Sequence, residues 1–225
     1  MHEVLEGITL IAYDLDGTLI DSVPDLTFAL QETMSERHLP VPREEAVRQW
    51  VGNGSLVLVE RALGAASDQG LMAPPDKALV DALHERFLHH YGRYACRATR
   101  VYPGVHECLA AQKARNLTQV LVTNKPSRFI APLLEGLQLG GYFTLLIGGD
   151  SLLRKKPDPL PLLHVMEQVG ARPGQTLMVG DSVHDVRAGQ SAGCRTLGVP
   201  YGYNHGQPIA DAGPDVIVES LIELV

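Results

Sequence analysis

The sequence has few cysteines and no concentrated run of basic residues. Its three cysteines, Cys96, Cys108 and Cys194, lie far apart and form no C-x-x-C pair, which argues against a disulfide framework and a thiolate zinc site. Nineteen lysines and arginines stand against 26 aspartates and glutamates, so the formal charge is −7. An acidic chain without a basic block is a poor candidate for binding nucleic acid or an anionic membrane. We expect neither as a partner.

Long apolar runs and several common motifs are also missing. No run approaches the roughly 20 residues that a membrane-spanning helix needs. The N-terminal MHEVLEG carries acids where a secretory signal would carry lysine or arginine. No G-x-x-x-x-G-K occurs, which argues against a loop that binds nucleoside triphosphates. These absences predict a soluble cytoplasmic protein.

Short apolar runs alternate with helix-like segments over most of the chain. Five runs are typical of strands buried on both faces: ITLIAY (8–13), QVLVT (119–123), FTLLIGG (143–149), TLMVG (176–180) and TLGV (196–199). Amphipathic segments of helical length lie between the later runs. The alternation predicts an α/β fold with a doubly wound, parallel, Rossmann-like sheet.

Residues 22–97 break this alternation. They contain no convincing strand, but they hold four amphipathic blocks separated by prolines. We therefore predict an α-helical domain over residues 22–97, inserted into an α/β core that comprises residues 1–21 and 98–225.

Polar side chains follow four of the predicted strands. Because ligands of open α/β sheets gather outside the carboxyl ends of the strands, we expect these side chains to share one site. They are Asp14 and Asp16 after the first strand, Thr123, Asn124 and Lys125 after the second, Lys155 and Lys156 beyond the third, and Asp181, Ser182 and Asp185 after the fourth.

The segment DLDGTL places two carboxylates on one side of an extended chain, at Asp14 and Asp16. With Asp181 they would repel one another unless a hard dication lay between them, and a few carboxylates plus water suit Mg²⁺. The ion would let one carboxylate attack a phosphate dianion while the other transfers a proton. Thr123 and Lys156 would supply a hydrogen-bond donor and a positive charge to the phosphoryl oxygens.

Four motifs resemble those of the haloacid dehalogenase superfamily, in its phosphatase branch. They are DLDGTL, VLVTN, KKPDP and GDSVHD, they occur in the family's order, and the resemblance covers the whole chain. The helical insertion resembles the family's α-helical cap. The resemblance implies that Asp14 is the nucleophile, which forms an aspartyl-phosphate, and that Asp16 is the general acid and then the general base.

The resemblance also implies a metal site and a phosphate site. Mg²⁺ would be held by the Asp14 side chain, the Asp16 backbone carbonyl and Asp181. Asp185, with Ser182 beside it, would support that site indirectly or through water, although an acid at the start of a helix, stabilised by the helix dipole, explains Asp185 equally well.

Phosphate would be bound by Thr123, by the backbone that follows at Asn124, and by a lysine of KKPDP. Lys155 and Lys156 are both candidates, and the order lysine then proline favours Lys156. A solvent-facing lysine would explain Lys125 equally well. We expect Arg61 to be a surface arginine. The VGNG segment (51–54) is either a turn between helices or a cap loop that reaches the substrate, which we favour.

Within the superfamily, four longer stretches resemble bacterial phosphoglycolate phosphatases: VGNGSLVLVERALG, TNKPSRF, GGDSLLRKKPDPLPLLH and YGYNHGQPIADAGPD. The resemblance implies a Mg²⁺-dependent phosphomonoesterase, monomeric or homodimeric, acting on a small phosphorylated metabolite, 2-phosphoglycolate. Three alternatives stay open. They are a phosphatase for a sugar phosphate, N-acetylmuramic acid 6-phosphate or pyrophosphate, a phosphomutase, and a non-catalytic module that binds phosphate.

Overall fold

The structure, a computed structural model, describes residues 2–225. Its strands are β1 Leu10–Tyr13, β2 Ile20–Asp21, β3 Arg100–Val101, β4 Thr118–Val122, β5 Leu145–Ile147, β6 Thr176–Gly180, β7 Arg195–Gly198 and β8 Val216–Ile217. Its α-helices are α1 Val23–Ser35, α2 Glu44–Trp50, α3 Ser55–Asp68, α4 Lys77–Tyr94, α5 Val105–Ala114, α6 Ile130–Gly136, α7 Leu160–Val169 and α8 Val183–Ser191.

Six strands form one parallel sheet in the order β5-β4-β1-β6-β7-β8. Every residue of the central strand β1 is buried. Ile11 and Tyr13 pack in the layer that holds α5 and α6, whereas Leu10 and Ala12 pack in the layer of α7 and α8. The predicted doubly wound, parallel α/β sheet is confirmed, and β1 and β6 are buried throughout. The expectation that the run 143–149 is buried on both faces is wrong, because β5 is an edge strand and Leu146 is 39% exposed. Strand β8 was not predicted, because two residues at a sheet edge carry too little pattern.

Helices α1–α4 form a separate layer around their own apolar cluster, which includes Leu30, Met34, Leu63, Leu83 and Phe87. All four helices lie within residues 23–94, inside the predicted insertion. We call these helices and the loops between them the cap, and the rest of the chain the core. Among the described residues no helix is both long and apolar enough to cross a membrane.

Two chain segments connect the cap to the core, and they run side by side. Strands β2 and β3 pair antiparallel, with Ile20 opposite Val101 and Asp21 opposite Arg100. Asp25, at the start of α1 and only 3% exposed, accepts hydrogen bonds from the backbone N–H groups of Ala98 and Thr99, both at 2.9 Å, and from the Thr99 hydroxyl at 2.6 Å. One buried carboxylate therefore fastens the outgoing segment to the returning one.

We predict that Asp25→Ala lowers the free energy of unfolding by about 3 kcal/mol, because it leaves the buried N–H and hydroxyl of Thr99 and the partly buried N–H of Ala98 without their acceptor. Urea denaturation of the purified variants measures this change. Asp68→Ala, at the exposed C-terminal end of α3, is the matched control, with an expected change within about 0.5 kcal/mol. Equal losses in the two variants would show that Asp25 fastens nothing.

Candidate active site

Asp14 and Asp16 lie where β1 ends. The hydrogen-bond ladder between β1 and β6 continues one residue beyond β1, because the Asp14 N–H donates to the Val179 carbonyl at 2.9 Å. The chain then turns at Gly17, whose φ of +94° few other residues tolerate. A Cβ at Gly17 would lie 2.9 Å from Asp181 Oδ1, so the turn also needs the space that glycine leaves. Glycine thus lets the first strand end bring its carboxylates against the loop after β6.

Three buried carboxylates meet at this point. Asp14, Asp181 and Asp185 each offer an oxygen, and these oxygens all lie within 4.8 Å of one another. Burial and the neighbouring carboxylates raise the pKa of both Asp14 and Asp181 above the ordinary range. The carboxyls would be more stable as anions with a cation between them, and all-oxygen ligands suit a hard divalent ion. The residues present therefore fit a metal ion of that kind.

Lys156 supplies the positive charge within this cluster. Its Nζ lies 2.7 Å from Asp14 Oδ1 and 2.5 Å from Asp185 Oδ1, and the side chain is 2% exposed. Burial alone would lower the pKa of Lys156, but the two carboxylates raise it above its ordinary value. Lys155 instead donates to the Asn53 carbonyl at 2.6 Å. Of the two lysines, Lys156 faces the carboxylates.

Asp185 combines the two explanations that the sequence left open. Its Oδ2 accepts from the Ser182 N–H at 3.0 Å and from the Ser182 hydroxyl at 2.7 Å, which is a capping box at the start of α8. Its Oδ1 pairs with Lys156. Ser182 and Asp185 thereby fix the position of the lysine relative to the cluster.

Asp16 lies apart from the three carboxylates and has its own cation. Lys125 Nζ is 2.9 Å from Asp16 Oδ1 and 3.0 Å from Oδ2, and the Ser22 hydroxyl donates to Oδ1 at 2.6 Å. Lys125 is 4% exposed, so the solvent-facing alternative for this lysine is wrong. Both residues follow predicted strands, so the sequence placed them at one site, but it did not indicate that they pair with each other.

Thr123 and Asn124 follow β4 and are both buried. The Thr123 hydroxyl accepts from the Lys125 N–H at 3.3 Å. The Asn124 amide donates to the backbone carbonyls of Gly52 and Lys156, each at 3.0 Å. Asn124 therefore ties the lysine loop to the cap.

The loop between α2 and α3, residues 51–54, reaches from the cap to these core residues. Arg61 holds it from behind by donating to the Trp50 carbonyl at 2.6 Å and to Asn53 Oδ1 at 2.7 Å. The expectation that Arg61 is merely a surface arginine is therefore wrong. The other face of Asn53 meets His184, with Nδ2 and Nε2 2.7 Å apart. Neither contact leaves a local sequence pattern, since each joins residues from different elements.

Cap and core line a partly open cavity of about 40 Å³. The core side of the cavity carries the polar residues Asp14, Asp16, Thr123, Asn124 and Lys125 together with Pro126 and Phe129, whereas the cap side is mostly apolar and includes Leu26, Val51, Gly52, Gly54, Ser55, Leu58, Phe87 and Tyr91. The 51–54 loop therefore lines the same cavity as the carboxylates. The arrangement can hold a small polar group against the core and a short apolar or polar remainder against the cap.

One sequence pattern resembles the nucleophile turn of serine hydrolases, but its position in the fold excludes that role. Residues 189–193 match G-x-S-x-G, the spelling of a serine-hydrolase nucleophile turn. Ser191 is instead the exposed last residue of α8, far from a strand-to-helix turn. It is not a nucleophile of that kind.

Comparison with known proteins agrees with this geometry. Residues 11–199 match the family described as haloacid dehalogenase-like hydrolase. The chain belongs to this family.

Individual relatives are similar along nearly the whole chain. It is 45% identical to a phosphoglycolate phosphatase of Pseudomonas putida, over 96% of this chain and 78% of the relative. It is 43% identical to a phosphoglycolate phosphatase of Escherichia coli, over 98% and 92%. The crystal structure of a predicted phosphoglycolate phosphatase from Haemophilus somnus superposes with a TM-score of 0.93 at 37% identity, covering 97% of this chain and 96% of that one. The predicted family resemblance is confirmed.

We predict that Arg61→Ala loosens the 51–54 loop, because the variant loses both hydrogen bonds that hold the loop from behind. Trp50 is the single tryptophan and its carbonyl is one of the two acceptors, so its fluorescence reports on the loop directly. Acrylamide should quench it roughly twice as efficiently in the variant as in the wild type. Arg61→Lys should loosen the loop as well, since lysine lacks the planar fork that reaches two acceptors. The exposed Arg37 provides the control; quenching that rises equally in Arg37→Ala would contradict the assignment.

Proposed function

We propose that this protein is a Mg²⁺-dependent phosphatase that hydrolyses 2-phosphoglycolate to glycolate and phosphate. The observation that carries the proposal is the meeting of Asp14, Asp181 and Lys156 at the carboxyl ends of the central strands, beside a small cavity between cap and core. The relatives named phosphoglycolate phosphatase, at 43–45% identity, support the choice of substrate.

The metal would be held by the carboxylates of Asp14 and Asp181 and by the Asp16 backbone carbonyl. Asp181 is already oriented for this, because Oδ1 accepts from the Thr18 hydroxyl and Oδ2 from the Tyr203 N–H, both at 2.8 Å. When bound, the ion supplies positive charge that reduces the repulsion between an aspartate and a phosphate dianion.

The chain's own residues divide the chemistry of the reaction. A carboxylate oxygen of Asp14 attacks phosphorus, and the bond from phosphorus to the glycolate oxygen breaks. Lys156 and Thr123 bind the phosphoryl oxygens. Asp16, held by Lys125 and Ser22, gives a proton to the departing oxygen and later takes one from the water that cleaves the aspartyl-phosphate. The cap covers the cavity and excludes bulk water from the intermediate.

We predict that a phosphate-release screen of small monoesters with Mg²⁺ ranks 2-phosphoglycolate first. Its kcat/KM should exceed that of the sugar phosphates and N-acetylmuramic acid 6-phosphate by about tenfold, or 1.4 kcal/mol of transition-state free energy. EDTA should abolish release and added Mg²⁺ should restore it. If no monoester releases phosphate, the protein is better explained as a non-catalytic module that binds phosphate. A requirement for a sugar bisphosphate as activator would favour a phosphomutase. If another monoester ranks first, that compound replaces 2-phosphoglycolate as the proposed substrate.

We predict that Asp14→Asn lowers kcat by more than roughly a thousandfold, because the amide cannot form the acyl phosphate. Asp16→Ala should be nearly inactive as well, since no other carboxylate would serve the leaving oxygen. Steady-state kinetics on purified, folded variants measures both, with the exposed Asp68→Asn as control. A rate within tenfold of wild type for Asp14→Asn would remove Asp14 as nucleophile, and a near-wild-type Asp16→Ala would remove the proton-transfer role.

A further inference from the structure

The cap side of the cavity contains unsatisfied hydrogen-bond donors at the start of α3. This helix has 14 residues, begins at Ser55, and is preceded by Gly54, which has no side chain to cap it. Gly54 and Ser55 both line the cavity. Within residues 2–225, no acceptor meets the backbone N–H groups of Ser55, Leu56 or Val57. Free N–H groups together with the helix dipole give this end of α3 a positive potential.

Tyr91, on α4, is a second donor that faces the same cavity. The side chain is 1% exposed and lines the cavity, and among the described residues no acceptor receives its hydroxyl proton, since the neighbouring Lys125 ammonium can only donate. A buried hydroxyl without a partner costs about 1–3 kcal/mol. Burial raises the pKa of Tyr91 to about 12, so the hydroxyl keeps its proton and remains a donor. The missing partner is therefore an acceptor that is not part of the protein.

The charge around Tyr91 favours an anionic acceptor. Lys125 Nζ lies 4.7 Å from the centre of the Tyr91 ring, and the other cap side chains at the cavity, apart from Ser55, are apolar. Asp14 and Asp16, the acids that line the cavity, lie on the core side and are each paired with a lysine. The N–H groups of α3 and the Tyr91 hydroxyl therefore offer hydrogen-bond donors and a positive potential, which suit a ligand atom that accepts hydrogen bonds and donates none.

We propose that the Tyr91 hydroxyl and the first-turn N–H groups of α3 bind a carboxylate at the end of the substrate remote from its phosphoryl group. The inference rests on the proposed function, which places the phosphoryl group at Asp14. It assigns the substrate to the class of small phosphorylated carboxylic acids. The hydroxyls of a sugar phosphate could accept from these donors, but their own O–H groups would face a mostly apolar cap surface, and unpaired polar groups are strongly disfavoured.

The test compares 2-phosphoglycolate with ethyl phosphate, in which a methyl group replaces the carboxylate. Tyr91→Phe should lower kcat/KM for 2-phosphoglycolate by about tenfold, through KM, because one hydrogen bond to a charged group is lost. It should lower kcat/KM for ethyl phosphate far less. Tyr94→Phe makes the same change one turn along α4, outside the cavity, and is the matched control, with both substrates turned over as in the wild type.

A second variant tests the helix N–H groups. Ser55→Pro removes one N–H at the first helical position, where proline is compatible with the helix. Ser55→Ala removes only the hydroxyl and keeps that N–H. We expect the proline variant to lose more kcat/KM for 2-phosphoglycolate than the alanine variant, and the difference to vanish with ethyl phosphate.

Thermal-shift titrations with the same two ligands and Mg²⁺ separate this proposal from the proposed function. Stabilisation of the wild type by 2-phosphoglycolate beyond that by ethyl phosphate, reduced in Tyr91→Phe, supports the carboxylate site even if no turnover occurs. If the wild type turns over 2-phosphoglycolate but Tyr91→Phe and Ser55→Pro each lose as much kcat/KM on ethyl phosphate as on 2-phosphoglycolate, the carboxylate site is overturned. The proposed phosphatase activity would be unaffected by that result. Equal stabilisation of the wild type by both ligands would also overturn it.

Discussion

The ammonium of Lys156 lies between carboxylates that come from separate parts of the chain, Asp14 after β1 and Asp185 on α8. A buried charge without a partner costs several kcal/mol, so these groups are stable inside the protein only when they meet. Their meeting requires β1 and β6 to be neighbours in the sheet, and the observed strand order makes them so. The candidate site and the parallel sheet therefore depend on each other, because a strand order that separated β1 from β6 would leave buried charge unpaired.

The cap meets this charged cluster through a different kind of contact. Asn124 donates to the Gly52 carbonyl and Lys155 to the Asn53 carbonyl, so the contact between the 51–54 loop and the core is largely polar. Each such hydrogen bond contributes only about 1 kcal/mol net, since water replaces it when the surfaces part. The bonds of Asp25 at the connecting segments are by contrast buried. The cap is thus held at its base by the buried hydrogen bonds of Asp25, and at the cavity by these polar contacts together with the packing of the Tyr91 ring against Phe129 of the core.

The sequence predicted the core more completely than the cap, for a physical reason. Strands buried on both faces leave unbroken apolar runs, and a polar residue at the end of such a run is conspicuous, as Asp14 and Asp181 are. Lys125 also follows such a run, but its pairing with Asp16, like the contacts of Arg61 with the 51–54 loop, depends on a partner that only the tertiary fold brings near. A lysine or arginine on an isolated segment is most simply interpreted as solvent-exposed. Strands produce a recognisable pattern of apolar residues in the sequence, whereas a contact between two residues that are distant in the chain produces none.

The same reasoning explains why chemistry and selectivity differ in how easily the sequence reveals them. Phosphoryl transfer needs carboxylates and a lysine, residue types that rarely lie buried for other reasons. Recognition of the remainder of the substrate uses a tyrosine hydroxyl and backbone N–H groups, which every helix and many cores contain. The cavity between cap and core is small, about 40 Å³, and the 51–54 loop lines part of it, so this loop limits the size of the group that fits there. Under the proposed function, selection by the cap then depends on whether the donors on α3 and α4 find an acceptor on the substrate or stay unpaired.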